Sequence, residues 1–206
     1  MIRRTLFSVL ALVLLCSCMK LERQQVDKRF YSLDVARPVD AAGVGSPARN
    51  PGALLVRRLQ VSPRCSGREL VYHLGESSWT ADYYNLFFLA PADMLSQDLR
   101  TWLGAASLYG NVVDPASLLE PNFVLEGNVT ALHGDFSVKP AQAVVEMQFL
   151  LLRNDGSERR VLMTKELRQT VPLAGGAPQD VVRALRQAVA VTFAELEAAL
   201  RQVSAK

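Results

Sequence analysis

The stretch AVVEMQFLLLRNDGSERRVLMTKELRQTV, residues 143–171, decides the fold that we predict for this chain. Apolar side chains stand at every second position of its first half: Val145, Met147, Phe149 and Leu151. This alternation is typical of a strand with one buried face. Asn154-Asp155-Gly156-Ser157 then predicts a tight hairpin, because Asp-Gly tolerates positive φ angles. The stretch therefore predicts two long antiparallel strands, 143–152 and 159–171.

Further strands are predicted on the N-terminal side of this hairpin. Residues 123–132 alternate in the same way, with Phe123, Leu125 and Val129 on one face. Shorter strands are expected at 30–35, 54–61, 69–74, 81–89 and 109–113. Residues 39–52 are rich in Ala, Gly, Pro and Ser, a composition that predicts a surface loop.

Two amphipathic helices complete the domain. Pro91 suits the first turn of one helix, whose apolar stripe is formed by Leu95, Leu99, Trp102, Leu103 and Ala106. A second helix, 179–203, has the stripe Val182, Leu185, Val189, Thr192, Phe193, Leu196 and Leu200. We predict an α/β fold for residues 30–206: a single layered domain in which a mixed or largely antiparallel sheet packs against two main helices.

The first 17 residues have the parts of a secretory signal peptide. Arg3 and Arg4 form a cationic start, residues 6–15 are apolar, and Ser17 is a small residue before the expected cleavage point. The run Leu15-Cys16-Ser17-Cys18 resembles the bacterial lipobox, which identifies Cys18 as the expected lipidation site. A transmembrane anchor and ordinary cleavage without lipid are the alternatives; the first needs about 20 apolar residues, and this segment is shorter.

Residues 18–29 are predicted to form a lipidated polar tether. Ten residues span at most roughly 33 to 36 Å, which would hold the domain clear of the lipid headgroups. Met19 follows Cys18 in place of the aspartate that retains lipoproteins at the inner membrane. We therefore expect an outer-membrane protein, held by its covalent lipid (palmitate among its acyl chains) and facing the periplasm, if the host has two membranes.

Charge and cysteine content narrow the function classes. Without Arg3 and Arg4, 21 basic side chains face 20 acidic ones and no basic run remains, which argues against a nucleic-acid partner. Cys16 leaves with the signal and Cys18 takes the lipid, so Cys65 is the remaining thiol. A lone cysteine of this kind is expected to be buried or sheltered in a turn.

The sequence contains no recognisable catalytic or cofactor-binding motif. His73 and His133 lack a second ligand at metal spacing, and Ser66 lacks the flanking glycines of a nucleophile elbow. Gly175-Gly176 has neither the third glycine nor the lysine of a phosphate-binding loop. We predict a protein that is not an enzyme and that holds no metal or cofactor other than the lipid on Cys18.

The order of motifs along the chain resembles a known family. These motifs are Phe30-Tyr31-Ser32-Leu33, Leu54-Leu55-Val56-Arg57-Arg58-Leu59, Leu70-Val71-Tyr72, Ala90-Pro91-Ala92-Asp93-Met94-Leu95 and the run 99–103. They are similar to the ABC-type transport auxiliary lipoproteins, which include the PqiC-like lipoproteins. The resemblance implies a non-catalytic lipoprotein subunit that works with an inner-membrane ABC transporter and an MCE-type protein in phospholipid transport. It also implies an α/β sandwich and self-association.

The aromatic strand 81–89 is the candidate contact with a partner. By a period of two, Tyr83 and Phe87 would share one face and Tyr84 and Phe88 the other, with at least one pair exposed. Exposed rings would anchor another subunit, whereas the alternative is that all pack in the core.

Two other function classes remain open. One is a lipoprotein that scaffolds envelope assembly or secretion without moving lipid. The other is an envelope hydrolase, which would need a reactive serine or a pair of carboxylates.

Overall fold

The computed structural model describes residues 27–38, 48, 50–156 and 158–203. The predicted signal peptide 1–17, the predicted lipidation site Cys18 and residues 19–26 of the predicted tether lie outside the described residues, as does most of the predicted loop 39–52. In the described ranges no helix has the length and apolarity required to cross a membrane.

The described residues form nine strands, two α-helices and one short 3-10 helix. The strands are β1 (Arg29–Tyr31), β2 (Asn50–Val56), β3 (Gln60–Val61), β4 (Glu69–Gly75), β5 (Ser78–Phe87), β6 (Tyr109–Val113), β7 (Phe123–Asp135), β8 (Gln142–Asp155) and β9 (Glu158–Pro172). The helices are α1 (Pro91–Ala105) and α2 (Pro178–Val203), and the 3-10 helix is Pro63–Cys65.

Strand β7 organises the sheet. Along one side it pairs with β8, and β8 pairs with β9, all antiparallel. Along its other side it pairs in parallel with β2 at its start, β3 in its middle and β4 at its end. β5 is antiparallel to β4, β1 is parallel to β5, and β6 is parallel to β2. One long strand therefore joins three short segments that are separated in the chain.

Two helices pack against this curled mixed sheet, as the sequence predicts. Helix α2 lies against β7, β8 and β9, and α1 lies against β2, β3 and β6. Every residue of the two predicted helix stripes is buried, and so are Val145, Met147, Phe149 and Leu151 of β8. A single core forms because the helix stripes and the inner face of the sheet exclude water from one another.

The predicted hairpin between the two long strands is confirmed. Asp155 pairs with Glu158 at its end, and Gly156 has a φ of +77°. A residue with a Cβ adopts that conformation only at a cost, so glycine suits the turn.

The predicted first strand, 30–35, is too long. β1 ends at Tyr31, and Asp34 has a φ of +45°, which breaks an extended strand. The chain then runs along α1: the Leu33 amide contacts Met94 Sδ at 3.4 Å, and the Val35 amide donates to Asp98 Oδ2 at 3.1 Å. Leu33 is buried as expected, but helix side chains replace a neighbouring strand as hydrogen-bond partners.

The predicted strand 54–61 is two strands, and the first begins earlier, at Asn50 inside the predicted loop. The chain leaves the ladder between β2 and β3, where the Leu59 amide donates to Ser96 Oγ on α1 at 2.8 Å. A buried helix hydroxyl thus satisfies a backbone group that a regular strand would have paired.

Candidate functional site

A large bulge in β5 determines how its aromatic side chains are presented. Leu70 of β4 pairs with Asp82, but the preceding Glu69 pairs with Leu86. Tyr83, Tyr84 and Asn85 therefore have no partner on β4. The period of two is interrupted between Asp82 and Leu86.

Asp82 holds the bulge together. Its Oδ1 accepts from the Tyr84 and Asn85 amides at 3.0 Å each, and its Oδ2 accepts from Tyr72 Oη at 3.0 Å and Asn85 Nδ2 at 2.9 Å. Burial alone would raise the pKa of Asp82, but these hydrogen bonds outweigh it and the pKa lies below its usual value. The carboxylate thus replaces the missing ladder partners.

The bulge overturns part of the predicted arrangement of the aromatics. Tyr83 is 65% exposed while Phe87 is 2% exposed, so the prediction that these two share a face is wrong. Tyr84 and Phe88 are both exposed, at 44% and 64%. Phe87 belongs to the core and cannot contact a partner, whereas Tyr83, Tyr84 and Phe88 can.

The three exposed rings join a fourth, Phe30, and we call Phe30, Tyr83, Tyr84 and Phe88 the aromatic patch. Phe30 and Phe88 meet edge to face with centroids 6.4 Å apart, and Tyr83 and Tyr84 do so at 5.1 Å. Phe30 is 50% exposed. The sequence predicts a short strand that includes Phe30, but nothing in that segment shows that β1 lies at the edge of the sheet.

Two cations accompany the aromatic patch. Lys28 Nζ lies 4.1 Å from the centre of the Tyr83 ring, and the Arg68 guanidinium lies 5.2 Å from that of Phe30. Contacts of this kind orient the rings without covering them. The patch is therefore an exposed, partly preorganised surface of rings and positive charge around β1, the first strand of the described residues.

Both histidines lie in a separate cluster on β4, β5 and β7. His73 stacks on Trp79 with ring centroids 4.5 Å apart, and His133 meets Trp79 edge to face at 4.8 Å. The Arg64 guanidinium lies 4.5 Å from the centre of the same indole. Burial lowers the pKa of His133 to about 4, so the ring is neutral at pH 7.

This cluster does not form a catalytic triad. His73 Nδ1 lies 3.1 Å from Asp135 Oδ1, but His73 Nε2 faces the Glu76 carbonyl at 3.3 Å. The nearby Ser137 donates its hydroxyl to Asp135 and not to the histidine. A serine nucleophile needs the second imidazole nitrogen as its base, and that nitrogen is directed elsewhere. The described residues also contain no group of His, Cys, Asp and Glu that could hold a metal ion.

Cys65 is buried, as predicted. It ends the 3-10 helix with 5% of its surface exposed. Burial raises the pKa of its thiol, which keeps it protonated and unreactive at neutral pH.

Comparison with family models identifies one match that spans most of the domain. The model of the ABC-type transport auxiliary lipoprotein component matches residues 31–197. The chain belongs to this family. Membership makes it an auxiliary lipoprotein of an ABC-type transport system, associated with the cell envelope.

Solved structures support the family fold at low sequence identity. Protein XCC0632 from Xanthomonas campestris, of family DUF330, has a TM-score of 0.74 at 15% identity and covers 85% of this chain and 95% of its own. A second structure, of an uncharacterized protein, has a TM-score of 0.65 at 16% identity. The match covers 84% of the present chain and 99% of that protein's chain. The hypothetical protein CT253 from Chlamydia trachomatis has a TM-score of 0.57 at 10% identity. The match covers 75% of the present chain and 98% of CT253. No curated protein matches the chain.

Proposed function

We propose that this chain is a non-catalytic outer-membrane lipoprotein that faces the periplasm and serves an MCE-type phospholipid transport system with an inner-membrane ABC transporter. The family match over residues 31–197 carries the proposal, because it identifies an auxiliary transport component. The MCE partner, the outer membrane and the lack of catalysis go beyond that match and rest on the family resemblance and on Met19.

The domain boundaries belong to the same proposal. Residues 1–17 act as the signal peptide, Cys18 takes the lipid, and residues 18–29 tether the domain 30–206. Lys28 and Arg29 lead directly into β1, so the tether joins the domain beside the aromatic patch. Residues 19–28 span at most roughly 33 to 36 Å, which limits how far the patch can lie from the membrane surface.

The aromatic patch is the proposed contact with the transport partner. Tyr83, Tyr84 and Phe88 expose much of their ring surface, and aromatic side chains are over-represented among residues that dominate interface affinity. The nearby Lys28 and Arg68 favour a partner surface with acidic groups. A second copy of the chain and the headgroups of the membrane are alternative occupants of the same surface.

The test is crosslinking of the full-length acylated protein in its native host. The patch variant carries Tyr83→Ser and Phe88→Ser. Its matched control carries Leu118→Ser and Leu119→Ser, which remove two exposed apolar side chains away from the patch. Both variants should melt near the wild-type temperature, because the altered side chains are exposed. Cys18→Ala tests the need for the anchor.

The proposal predicts that wild type and the control capture an MCE-type protein or its ABC transporter, and that the patch variant and Cys18→Ala capture much less. Capture of secretion or envelope-assembly machinery instead would favour the scaffold alternative. Capture of the chain alone, or a patch variant that loses only membrane association, would contradict the partner contact and assign the patch to self-association or to lipid.

A further inference from the structure

An open groove lies at one end of the sheet, away from the aromatic patch. Its volume is about 830 Å³, within the range of small-molecule sites. It is bordered by the starts of β2, β6 and β7, the end of β8, the first half of β9 and the last turns of α2.

The register of the sheet places two arginines side by side in this groove. Phe123 of β7 pairs with Arg153 of β8, and Arg153 pairs with Arg160 of β9. Side chains that are directly paired across strands point to the same face, and both arginines line the groove. Like charges placed directly opposite one another are unfavourable, so an anion between them would relieve the repulsion.

The groove is positively charged as a whole. Lys165 of β9 also lines the groove. The described residues that line the groove include no Asp or Glu. Arg153 donates from Nε to Asp155 at 2.8 Å, but both of these side chains are 54% exposed, and such a pair leaves the outer guanidinium nitrogens open to a ligand. Arg160 and Lys165 form no ion pair with any residue in the described ranges.

The floor of the groove is apolar. The rings of Tyr109 and Phe123 pack at 5.2 Å, and Leu162, Met163 and Val203 continue the apolar surface toward the end of α2. Gln202 on the last turn of α2 also lines the groove and is exposed. An apolar surface beside paired guanidinium groups suits a ligand that carries both an anionic head and an aliphatic part.

We infer that this groove binds an anionic amphiphile, with a phosphate between Arg153 and Arg160 and an aliphatic chain along Tyr109, Phe123 and Met163. Guanidinium groups bind phosphate oxygens through two parallel hydrogen bonds. The positive charge of the groove favours a head of net negative charge over a zwitterionic one, whose cationic group it would repel. The inference rests on the groove alone and is independent of the partner proposed for the aromatic patch.

The test is photocrosslinking on the full-length lipidated protein in phosphatidylcholine vesicles. A benzophenone amino acid at Gln202, which lines the groove from α2, abstracts hydrogen from nearby aliphatic C–H groups, so it reports a chain held in the groove. The probe is tritiated monoacyl phosphatidylglycerol at trace level, compared with tritiated monoacyl phosphatidylcholine. The same crosslinker at exposed Leu119 measures contact with the membrane that does not involve the groove.

The inference predicts labelling at Gln202 well above that at Leu119. Replacing Arg153→Gln and Arg160→Gln together should lower it about tenfold, as expected when charged hydrogen bonds to the ligand are lost. The control is Arg159→Gln, which removes the adjacent charge from a residue that does not line the groove and should leave labelling unchanged. Melting temperature should not fall in the double variant, because it removes a like-charged pair.

Three outcomes would overturn the inference. One is labelling at Gln202 no stronger than at Leu119, and another is equal labelling by the zwitterionic probe. The third is complete competition by millimolar inorganic phosphate, which would show a site for free phosphate without a chain. Loss of partner capture in the host affects none of these readouts, so this inference and the proposed function can fail separately.

Discussion

At the scale of single residues, Glu197 joins three parts of the chain that are far apart in sequence. Its carboxylate accepts from Arg37 Nε at 2.9 Å, Trp102 Nε1 at 2.8 Å and Arg201 Nε at 3.2 Å. Burial alone would raise its pKa, but these hydrogen bonds outweigh burial and hold the pKa below the usual value. The Glu197 carboxylate thus links three parts of the domain: the segment after β1, helix α1 and helix α2.

Replacing Glu197→Gln should destabilise the domain by about 3 kcal/mol, because it leaves the Arg37 and Arg201 charges without their buried partner. The free energy of unfolding from denaturant titration measures the loss. The matched control is Glu195→Gln on the same helix, an exposed residue whose change should cost no more than about 0.5 kcal/mol. Equal effects from both variants would contradict the role assigned to Glu197.

The buried His133 should make stability fall as the solution is acidified. Its pKa is about 4 in the folded protein against an ordinary value of 6.5. Between these values the unfolded chain binds a proton that the folded one does not, so stability falls as pH falls from 6.5 to 4. The thermal midpoint of His133→Gln should change less with pH over that window than the midpoint of wild type. Parallel curves for the two proteins would count against a buried neutral imidazole.

At the scale of the elements, two glycines should respond in opposite directions to the same substitution. A Cβ on Gly110 of β6 would lie 2.4 Å from the Pro51 carbonyl oxygen on β2, whereas a Cβ on Gly104 of α1 would meet nothing within 4 Å. We expect Gly110→Ala to destabilise the domain, since the β2 and β6 backbones would have to separate. Gly104→Ala should stabilise it by up to about 1 kcal/mol through helix propensity. Thermal melts of both variants decide this, and a stable Gly110→Ala would contradict the close approach.

The bulge of β5 should depend on one carboxylate. Asp82→Ala removes the acceptor of the Tyr84 and Asn85 amides, so we expect a loss of about 1 to 3 kcal/mol and weaker partner capture through the aromatic patch. Asp82→Asn keeps an acceptor oxygen and should retain more of both properties. The two variants are compared by denaturant titration and by the crosslinking assay. Full capture by Asp82→Ala would show that the bulge does not position the rings.

At the scale of the whole molecule, one core lies under both helices. Leu99 and Leu103 of α1 and Leu185 and Phe193 of α2 belong to the same buried cluster. We therefore predict that the domain unfolds in one cooperative transition. Far-ultraviolet circular dichroism and the fluorescence of Trp79 and Trp102 should give the same midpoint. Trp79 lies on β5, so separate midpoints would mean that β4 and β5 unfold independently of the helices.

The sequence alone predicted the elements whose burial follows a regular period. The burial of Cys65 was predictable from residue type alone, because free cysteine is among the most buried side chains. The stripes of α1 and α2, the alternation of β8 and the Asp155-Gly156 turn were predictable because each depends on residue types within a few positions of one another. The family resemblance was predictable for the same reason, since it follows the order of these local patterns.

Tertiary structure decided the features that depend on pairing between distant segments. The pairing of β7 with β2, β3 and β4 could not be derived from any one segment. The alternation of residues along β5 predicted that Tyr83 shares a face with the buried Phe87. Instead, the Asp82 carboxylate takes the place of the missing β4 partners, the strand bulges, and Tyr83 is exposed. The opposition of Arg153 and Arg160 likewise exists only through the register of β8 and β9. Local periodicity specifies which side of an element is apolar, but the partners of each backbone and side chain are set when remote segments meet.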